Sequence, residues 1–477
     1  MSKKFKIIYS VLFFLFLTVV FALLPITESS AYIEKRSPLK LPGYVEEGKL
    51  NMDFSTEFEA WINDKVPFRA YFLSAANFIK GEVLHAPTSN VITGKGGWLY
   101  YNNESEDFMN TNALTEEQVR SVCVTLSLIE ERIESTGGKF TFVAMPNKAS
   151  IYGEYLPDNY KEAPENNLIR IQKMAKDMGL NYTDMRQTLL DNKDKGEGIY
   201  HRRDSHWNYM GALIGYDAIM NSLGRDHDPH EGAEYTYEKT WRGDLDKLLY
   251  PVGGVMDYQY DFKIDHCDFS FKDPRGVRDQ EAQLANFMSD REDKDDFFVV
   301  KNRELKDGSK VFMVRDSFGR ALLPFVIDCY SESTFKRTDC PDMESLEEGT
   351  DMIFEIGERN LAKIISTAPF MYAPVRKGID INGLKDAGDI RSEAKMEGYG
   401  FRISGILPED STSENGRVYI AFEKGKKCFE AFPILEKNLK EEGTKGFSAI
   451  ISKEELPKDQ DEVFIIYGDS IFKAKIR

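Results

Sequence analysis

The stretch FTFVAM at Phe140–Met145 decides the fold, because this short apolar run stops abruptly at Pro146 and is therefore typical of a buried strand. The residues before it have helical spacing. That helix is predicted to begin at the capping box of Thr115 and Gln118 and to end at the glycine pair that starts at Gly137. Its buried stripe consists of Val119, Val122, Leu126, Ile129 and Ile133.

A second amphipathic helix and a second strand follow, and they complete a strand–helix–strand unit. The second strand is predicted over Leu180–Met185. Because such a unit joins parallel strands, the sequence predicts an α/β domain built on a parallel sheet. The buried side of the second helix consists of Leu168, Ile171, Ala175 and Met178. Further buried strands of this sheet are predicted at Phe297–Val300, Val311–Val314 and Met352–Ile356.

The residues after about Pro374 have a different pattern. Strand-like runs are separated by Gly, Pro, Asn and Asp, and no helical stripe lies between them, which predicts a small β-sandwich. These runs are Phe401–Leu407, Arg417–Phe422, Gly446–Ile451 and Glu462–Tyr467. The predicted organisation is a membrane anchor over 1–30, a stalk with entry helices over 31–93, an α/β domain over 94–373 and the sandwich over 374–477.

The composition excludes several classes of protein. Across 477 residues, 62 Lys and Arg stand against 79 Asp and Glu, which gives a net charge of −17 and a pI near 5.1. This balance disfavours nucleic-acid binding, which depends on clustered basic residues. The five cysteines form no CxxC pair, so neither a disulfide framework nor a zinc ribbon is expected. We expect free buried thiols, with a pairing of Cys329 and Cys340 left open.

The N-terminal segment is predicted to export the chain. Three lysines precede Ile7–Ile26, an uncharged run of twenty residues that would span roughly 30 Å as a helix, the thickness of a bilayer core. The basic flank favours a cytoplasmic N-terminus with everything after Glu28 outside. A cleaved signal peptide is the alternative, since small residues occur at 29–31. We favour an uncleaved single-pass anchor, because the apolar run is longer than a usual signal sequence.

Two segments carry candidate catalytic residues. In VFMVRDSFG at 311–319, a buried strand ends just before Ser317, at the rim where α/β sheets bind ligands. The backbone N–H groups of Phe318 and Gly319 could form an oxyanion hole there. A serine hydroxyl needs an adjacent base, and DSHWN offers His206 as that base and Asp204 as the group that orients it.

Other interpretations of these residues stay open. Ser317 could cap a helix, and Asp204 with His206 could be a buried structural pair. Asp204, His206 and the later Gly243-Asp244 also resemble part of a two-metal phosphoesterase pattern, but further histidine ligands at the required positions are missing. A literal GDS motif ends at Ser470, seven residues before the end of the sequence, and is expected to be an ordinary turn.

Several blocks of the sequence resemble one known family. DSHWN at 204–208, followed by Gly211-Ala212, is similar to the D-x-H-W-N-x-x-G-A signature of the SGNH-hydrolase-like acetyltransferases of exopolysaccharide O-acetylation, which include the AlgJ, AlgX and DHHW proteins. Four other blocks match in order. They are GGWLYY at 96–101, FVAMPNKASIYGEYLP at 142–157, VRDSFG at 314–319 and FEIGERNL at 354–361.

This resemblance implies a three-layer SGNH-like α/β domain and a triad of Asp204, His206 and Ser317. It implies transfer of an acetyl group through an acetyl-serine onto a hydroxyl of a secreted or cell-surface polysaccharide, with a membrane-bound O-acyltransferase as the partner that supplies acetyl groups. An esterase with the same triad and a non-catalytic polysaccharide-binding scaffold are the alternatives. No metal and no diffusible cofactor is implied.

Three further residues are candidates for contacts with substrate. Arg315 stands where the wider superfamily often has glycine, so it could crowd the turn or contact substrate. Lys148 and Tyr155 follow the end of a strand and could hold a sugar hydroxyl or carboxylate, although packing explains them equally well. Glu358 and Arg359 also follow a strand and are predicted to form an ion pair that braces the rim of the site.

Overall fold

The structure is a computed structural model that describes most of the chain. The described residues are 3–23, 38–46, 48–84, 90–273, 276–278, 297–436, 444–458 and 462–476, together with positions 27, 86 and 88. The small residues at 29–31 that suggested a cleavage site, and part of the irregular stretch between Trp241 and Asp296, lie outside the described residues.

The helices occur mainly in the first two thirds of the chain. They are α1 (Lys3–Leu23), α2 (Phe54–Lys65), α3 (Arg69–Phe78), α4 (Glu104–Phe108), α5 (Glu116–Ser135), α6 (Lys148–Tyr152), α7 (Asn167–Met178), α8 (Met185–Asp191), α9 (Tyr209–Leu223), α10 (Asp244–Leu249) and α11 (Leu323–Cys329). Short 3₁₀ turns at Phe318–Leu322 and Glu358–Ile365 follow two strands of the central sheet. The predicted capping box at Thr115 and Gln118 is present at the start of α5.

The N-terminal segment is helical, but the predicted membrane span is not supported. Among the described residues, no helix is long and apolar enough to cross a bilayer.

Within the described ranges, the strands form one mixed sheet, one closed sheet and three small hairpins. The first ten are β1 (Val45–Glu46), β2 (Lys49–Leu50), β3 (Val91–Thr93), β4 (Leu99–Tyr101), β5 (Phe140–Met145), β6 (Tyr182–Thr183), β7 (Tyr235–Trp241), β8 (Asp257–Phe262), β9 (Phe269–Asp273) and β10 (Gly276–Arg278). The next five are β11 (Phe297–Asn302), β12 (Lys310–Arg315), β13 (Glu332–Arg337), β14 (Thr350–Gly357) and β15 (Val375–Arg376). The last seven are β16 (Lys385–Met396), β17 (Gly400–Ile406), β18 (Val418–Phe422), β19 (Lys427–Glu436), β20 (Thr444–Ser452), β21 (Phe464–Tyr467) and β22 (Ser470–Ile476).

The central sheet has the strand order β10-β9-β11-β13-β12-β14-β5-β6. The five strands from β13 to β6 run parallel, as the strand–helix–strand pattern predicts. The strand at 297–302 was expected to extend this parallel set, but it pairs antiparallel with both of its neighbours. Its short apolar run carries no information about direction, which is why the sequence could not distinguish the two arrangements.

Two apolar cores flank the central sheet and make three layers. Along β5, Val143 and Met145 face one core together with α8, α9 and α11, while Phe142 and Ala144 face the other core together with α5 and α7. This alternation follows from the two-residue period of a strand. The layered α/β domain places the carboxyl ends of β12 and β14 next to each other, since these strands are parallel neighbours.

The C-terminal strands close into a small barrel instead of the predicted sandwich. The first half of β19 pairs with β18 and its second half pairs with β20, so a ring of seven strands returns to its start, with β15 added outside. Phe429, Phe447 and Phe472 are among the side chains that fill its interior. The ten-residue length of β19 is the physical reason for closure, because one strand reaches both neighbours.

Candidate active site

The turn after β12 presents Ser317. The carboxylate of Asp316 holds this turn, because its Oδ1 accepts the N–H of Phe318 at 2.9 Å and its Oδ2 accepts the N–H of Gly357 at 2.8 Å. The side chain of Asn360 donates to the same Oδ2 at 3.0 Å. Burial alone would raise the pKa of Asp316, but the charge of Arg359 and these donors lower it. The turns after β12 and β14 are therefore tied together by one ionised carboxylate.

A loop before α9 presents Asp204 and His206. Lys148 is fully buried beneath this loop, and its ammonium donates to the carbonyl oxygens of His201, Arg202 and Asp204 at 3.1, 3.2 and 2.5 Å. The loop ends at Asn208, whose side chain accepts the N–H of Gly211 and caps α9. The backbone of this loop is thus held by the ammonium of Lys148 and, at its C-terminal end, by the cap of α9.

Ser317, His206 and Asp204 come together in the order of a catalytic triad. His206 Nε2 lies 2.9 Å from Ser317 Oγ, and His206 Nδ1 lies 2.7 Å from Asp204 Oδ1. Burial alone would raise the pKa of Asp204, but the hydrogen bond and charge of His206 hold it well below its ordinary value. Burial alone would lower the pKa of His206, but the hydrogen bond and charge of Asp204 raise it. This arrangement can take a proton from the serine hydroxyl and stabilise the resulting imidazolium.

Asp204 is surrounded by donors. Its Oδ1 also accepts the N–H of His206 at 3.0 Å, and its Oδ2 accepts the indole N–H of Trp241 at 3.0 Å and the N–H of Asp244 at 2.8 Å. Four N–H groups therefore occupy its two oxygens. The ring of Trp241 also stacks on His201 at a centroid distance of 4.9 Å, so this donor is fixed in place.

A metal ion does not fit this donor set. Asp204, His206 and Asp244 each place one possible ligand atom within 4.8 Å of the others. However, the lone pairs of Asp204 are taken by N–H groups, and the carboxylate of Asp244 accepts both the N–H and the hydroxyl of Ser205. The residues of the phosphoesterase-like pattern are thus engaged with one another.

The predicted oxyanion donors lie at the turn, but one of them is already engaged. The N–H of Phe318 donates to Asp316 and is not directed at a substrate. Gly319 is required by space, since a Cβ atom there would lie 2.5 Å from Glu355 Oε2 and 2.8 Å from the Cβ of Arg315. The hydrogen bond from the N–H of Phe318 to the side chain of Asp316 is an Asx turn. Asp commonly accepts the N–H of the second residue after it, so the Asp in VRDSFG was a signal that this N–H would be engaged.

Two of the three other residues predicted to contact substrate, Arg315 and Lys148, face the protein interior. Arg315 is almost fully buried, and its guanidinium lies 5.8 Å from the ring centre of Phe298 on β11, which does not support contact with substrate. Lys148 faces the loop backbone as described and does not reach out to a sugar. Tyr155 is half-buried and stacks on Trp98 at a centroid distance of 4.7 Å, and its contact with substrate stays a prediction.

The predicted ion pair between Glu358 and Arg359 is wrong. Glu358 instead accepts hydrogen bonds from Asn147, Ser150 and Asn166, and burial raises its pKa to about 8. Arg359 pairs with Glu104 at 3.4 Å and packs over the ring of Phe318 at 5.2 Å. Glu104 is fully buried, and burial raises its pKa to about 7.

The GDS motif is a turn, as predicted. Gly468-Asp469-Ser470 joins β21 to β22, and Gly468 has a positive φ of 62°. The five cysteines are free, in agreement with the expectation from their spacing.

Comparisons with known proteins support the same class of fold. Residues 91–260, somewhat more than a third of the chain, match the family model described as "ALGX: SGNH hydrolase-like domain, acetyltransferase AlgX". The resemblance to SGNH-hydrolase-like acetyltransferases is thus confirmed over those residues. Asp204 and His206 lie inside the match and Ser317 lies beyond its end. In the structure, the 2.9 Å contact with His206 connects the serine to them.

Individual relatives are distant. The chain is 23% identical to the "Probable alginate O-acetylase AlgJ" of Pseudomonas aeruginosa over 214 residues, which are 44% of this chain and 53% of that protein. The chain therefore spans about half the length of this curated relative. A DHHW family protein from Eubacterium siraeum overlaps with a TM-score of 0.43 at 15% identity, over 57% of this chain and 91% of that chain. Bacillus cereus PatB1 overlaps with a TM-score of 0.42 at 16% identity, over 57% and 96%.

Proposed function

We propose that this protein is an O-acetyltransferase that transfers acetyl groups to hydroxyls of an extracytoplasmic polysaccharide. The observation that carries the proposal is the 2.9 Å contact between His206 Nε2 and Ser317 Oγ, with Asp204 on the far side of the imidazole. The relatives named for acetylation of alginate support a polysaccharide acceptor.

The first half-reaction forms an acetyl-serine. Ser317 Oγ attacks the carbonyl carbon of an acetyl donor while His206 takes the hydroxyl proton. Asp204 keeps Nδ1 of the imidazole protonated and stabilises the imidazolium. Because the N–H of Phe318 is engaged, the developing oxyanion needs other donors, and the partly exposed guanidinium of Arg359 beside that ring is one candidate. His206 then gives its proton to the leaving group of the donor.

The second half-reaction repeats these roles in reverse. His206 takes the proton of an acceptor hydroxyl, whose oxygen attacks the acetyl-serine carbonyl. Collapse of the tetrahedral intermediate breaks the bond to Ser317 Oγ and returns the proton to it through His206. The product is an acetyl ester on the acceptor and a free serine, so the enzyme regains its starting state.

An esterase is the second candidate, and the openness of the site favours it. The side chain of His206 is 23% exposed, so water can reach the same position as an acceptor hydroxyl. Water would then resolve the acetyl-serine to acetate. A non-catalytic polysaccharide scaffold is disfavoured, because a scaffold does not need a serine hydroxyl held against a histidine.

The proposal extends to location and partners. The basic and apolar N-terminal segment supports export and association with the cell membrane, with the α/β domain outside the cytoplasm. Resemblance to the acetylation family supports a membrane-bound O-acyltransferase as the partner that delivers acetyl groups, and the relatives named for alginate make alginate the first acceptor to test.

The test uses an aryl acetate as donor and compares three proteins. The unchanged chain should release the aryl alcohol and carry one acetyl group on Ser317 by mass spectrometry. Ser317→Ala should lower turnover by about 10⁴-fold or more. Ser470→Ala, which alters the serine of the GDS turn, is the matched control and should keep full activity. Added glycans distinguish transferase from esterase, since only a transferase forms acetylated glycan in place of acetate. Equal turnover by Ser317→Ala would falsify both enzymatic candidates.

A further inference from the structure

A second carboxylate lies beside the histidine of the triad. Asp244, the first residue of α10, accepts the N–H of Ser205 on Oδ1 at 2.7 Å and the hydroxyl of Ser205 on Oδ2 at 2.6 Å. Its own N–H donates to Asp204. Asp244 Oδ2 is 3.7 Å from His206 Nδ1, and Ser205 Oγ is 3.2 Å from the same nitrogen. Asp244 is thus hydrogen-bonded to Asp204 and Ser205, and its carboxylate lies within ion-pair distance of His206.

Gly243 allows the carboxylate of Asp244 to lie close to the loop of Asp204 and His206. A Cβ atom on Gly243 would lie 2.0 Å from the carbonyl oxygen of Arg203 and 2.8 Å from the backbone nitrogen of Asp204. The φ of Gly243 is −62°, an ordinary value for any residue, so close approach explains the glycine here and backbone strain does not. The contact therefore depends on a position where only glycine leaves enough room.

Asp244 is one of the charged groups that influence the pKa of His206. Asp204 and Asp244 face the Nδ1 side of the imidazole, while the ring of Phe318 packs edge-on at 4.9 Å with Arg359 over that same ring. Glu104, which pairs with Arg359, is a further ionisable group near the imidazole. The charges of Asp204 and Asp244 raise the pKa of His206, and the charge of Arg359 lowers it.

We propose that Asp244 is a positioning residue of the active site, which acts through Ser205 and by its charge to orient His206 and to stabilise the imidazolium formed in each half-reaction. This inference rests on the proposed function, because it assigns a role within the same triad. Asp244 does not need to touch the substrate. Its effect is on how readily the imidazole accepts and keeps a proton.

The test is the substitution Asp244→Asn, which removes the charge but keeps an amide of the same shape for Ser205. Without that charge the pKa of His206 should fall, so the acid limb of kcat/KM against pH should move to lower pH by about one unit. The maximal rate should fall about tenfold, since the imidazolium is less stabilised in the transition state. Asp217→Asn is the matched control. Asp217 pairs with His227 at 2.9 Å elsewhere in the fold, and its loss should leave the profile unchanged.

A second variant and a direct titration keep the inference testable. Ser205→Ala breaks the hydroxyl link to Asp244 and should shift the profile in the same direction by a smaller amount. Titration of His206 by NMR in the full chain should show the lowered pKa in Asp244→Asn even if Ser317→Ala proves that the site is not catalytic, so the two failures are distinguishable. A slower enzyme with an unmoved profile and an unmoved His206 titration would assign Asp244 a structural role only and overturn the inference.

Discussion

Replacement of Lys148 by methionine tests how the loop of Asp204 and His206 is held in place. The ammonium of Lys148 is fully buried and donates to three backbone carbonyls of that loop. Methionine fills a similar volume but donates nothing. Each buried carbonyl that loses its donor costs about 1–2 kcal/mol, so the three together cost about 3–6 kcal/mol.

This loss of unfolding free energy is partly offset, because Lys148→Met also removes a buried charge. Burial lowers the pKa of Lys148 from 10.5 to about 8, and this shift corresponds to about 3 kcal/mol of unfavourable charge burial at neutral pH. The net loss of unfolding free energy in Lys148→Met at pH 7 is therefore expected to stay within about 3 kcal/mol. Activity should fall at least 10²-fold, because a loop displaced by about 1 Å no longer aligns His206 with Ser317.

The pH dependence gives the sharper measurement. Between about pH 8 and 10.5 the unfolded chain binds a proton at Lys148 that the folded chain does not, so the free energy of unfolding should rise with pH across this window. Urea unfolding at several pH values measures that rise, and Lys148→Met should lack it. Wild-type kcat/KM in a folded Lys148→Met protein would refute the role of Lys148 in holding the loop.

Two further substitutions address the surroundings of the triad. Trp241→Phe keeps the aromatic ring but removes one of four donors to the buried Asp204. It should lower kcat/KM of aryl acetate hydrolysis about tenfold and the free energy of unfolding by about 1–2 kcal/mol; an unchanged rate would mean that the indole N–H does not matter. Arg359→Gln leaves the buried Glu104 without its cation. Because the pKa of Glu104 is already raised to about 7, the folded state loses stability as pH rises from about 4.5 to 7, and removal of the cation should extend this loss to higher pH. Because Glu104 can stay protonated in the variant, the extra loss at pH 8 is limited to about 1.4 kcal/mol. Thermal melts should therefore show Arg359→Gln destabilised by about 1 kcal/mol more at pH 8 than at pH 5, whereas equal destabilisation at both pH values would contradict the ion pair.

The sequence predicted those features whose structure depends on a short stretch of neighbouring residues. The strand at 140–145 and the capping box of Thr115 can be identified from neighbouring residues alone, and both occur as predicted. Ser317 and His206 are 111 positions apart, so their predicted contact rested on the family resemblance and on the expectation that strand ends share one edge of a sheet.

The remaining features depend on contacts that no local pattern encodes. Trp241 and Asp244 reach Asp204 across 37 and 40 positions, from a segment whose only visible signal was a Gly-Asp pair that was considered as part of a metal site. The partner of Arg359 is Glu104, 255 positions away, whereas its neighbour in the sequence was the natural first choice. The closed ring of the C-terminal strands likewise depends on which partners β19 selects, and alternation along a strand says nothing about that choice.

The closure of the C-terminal strands has a consequence for self-association. An open sheet ends in strands with unpaired N–H and C=O groups, which act as templates for another chain and promote aggregation or strand exchange. In the described part of the ring every strand has a neighbour on each side over at least part of its length, and the strand added outside, β15, has only two residues. This domain therefore offers less unpaired backbone to a second copy of itself than an open sheet of the same strands would.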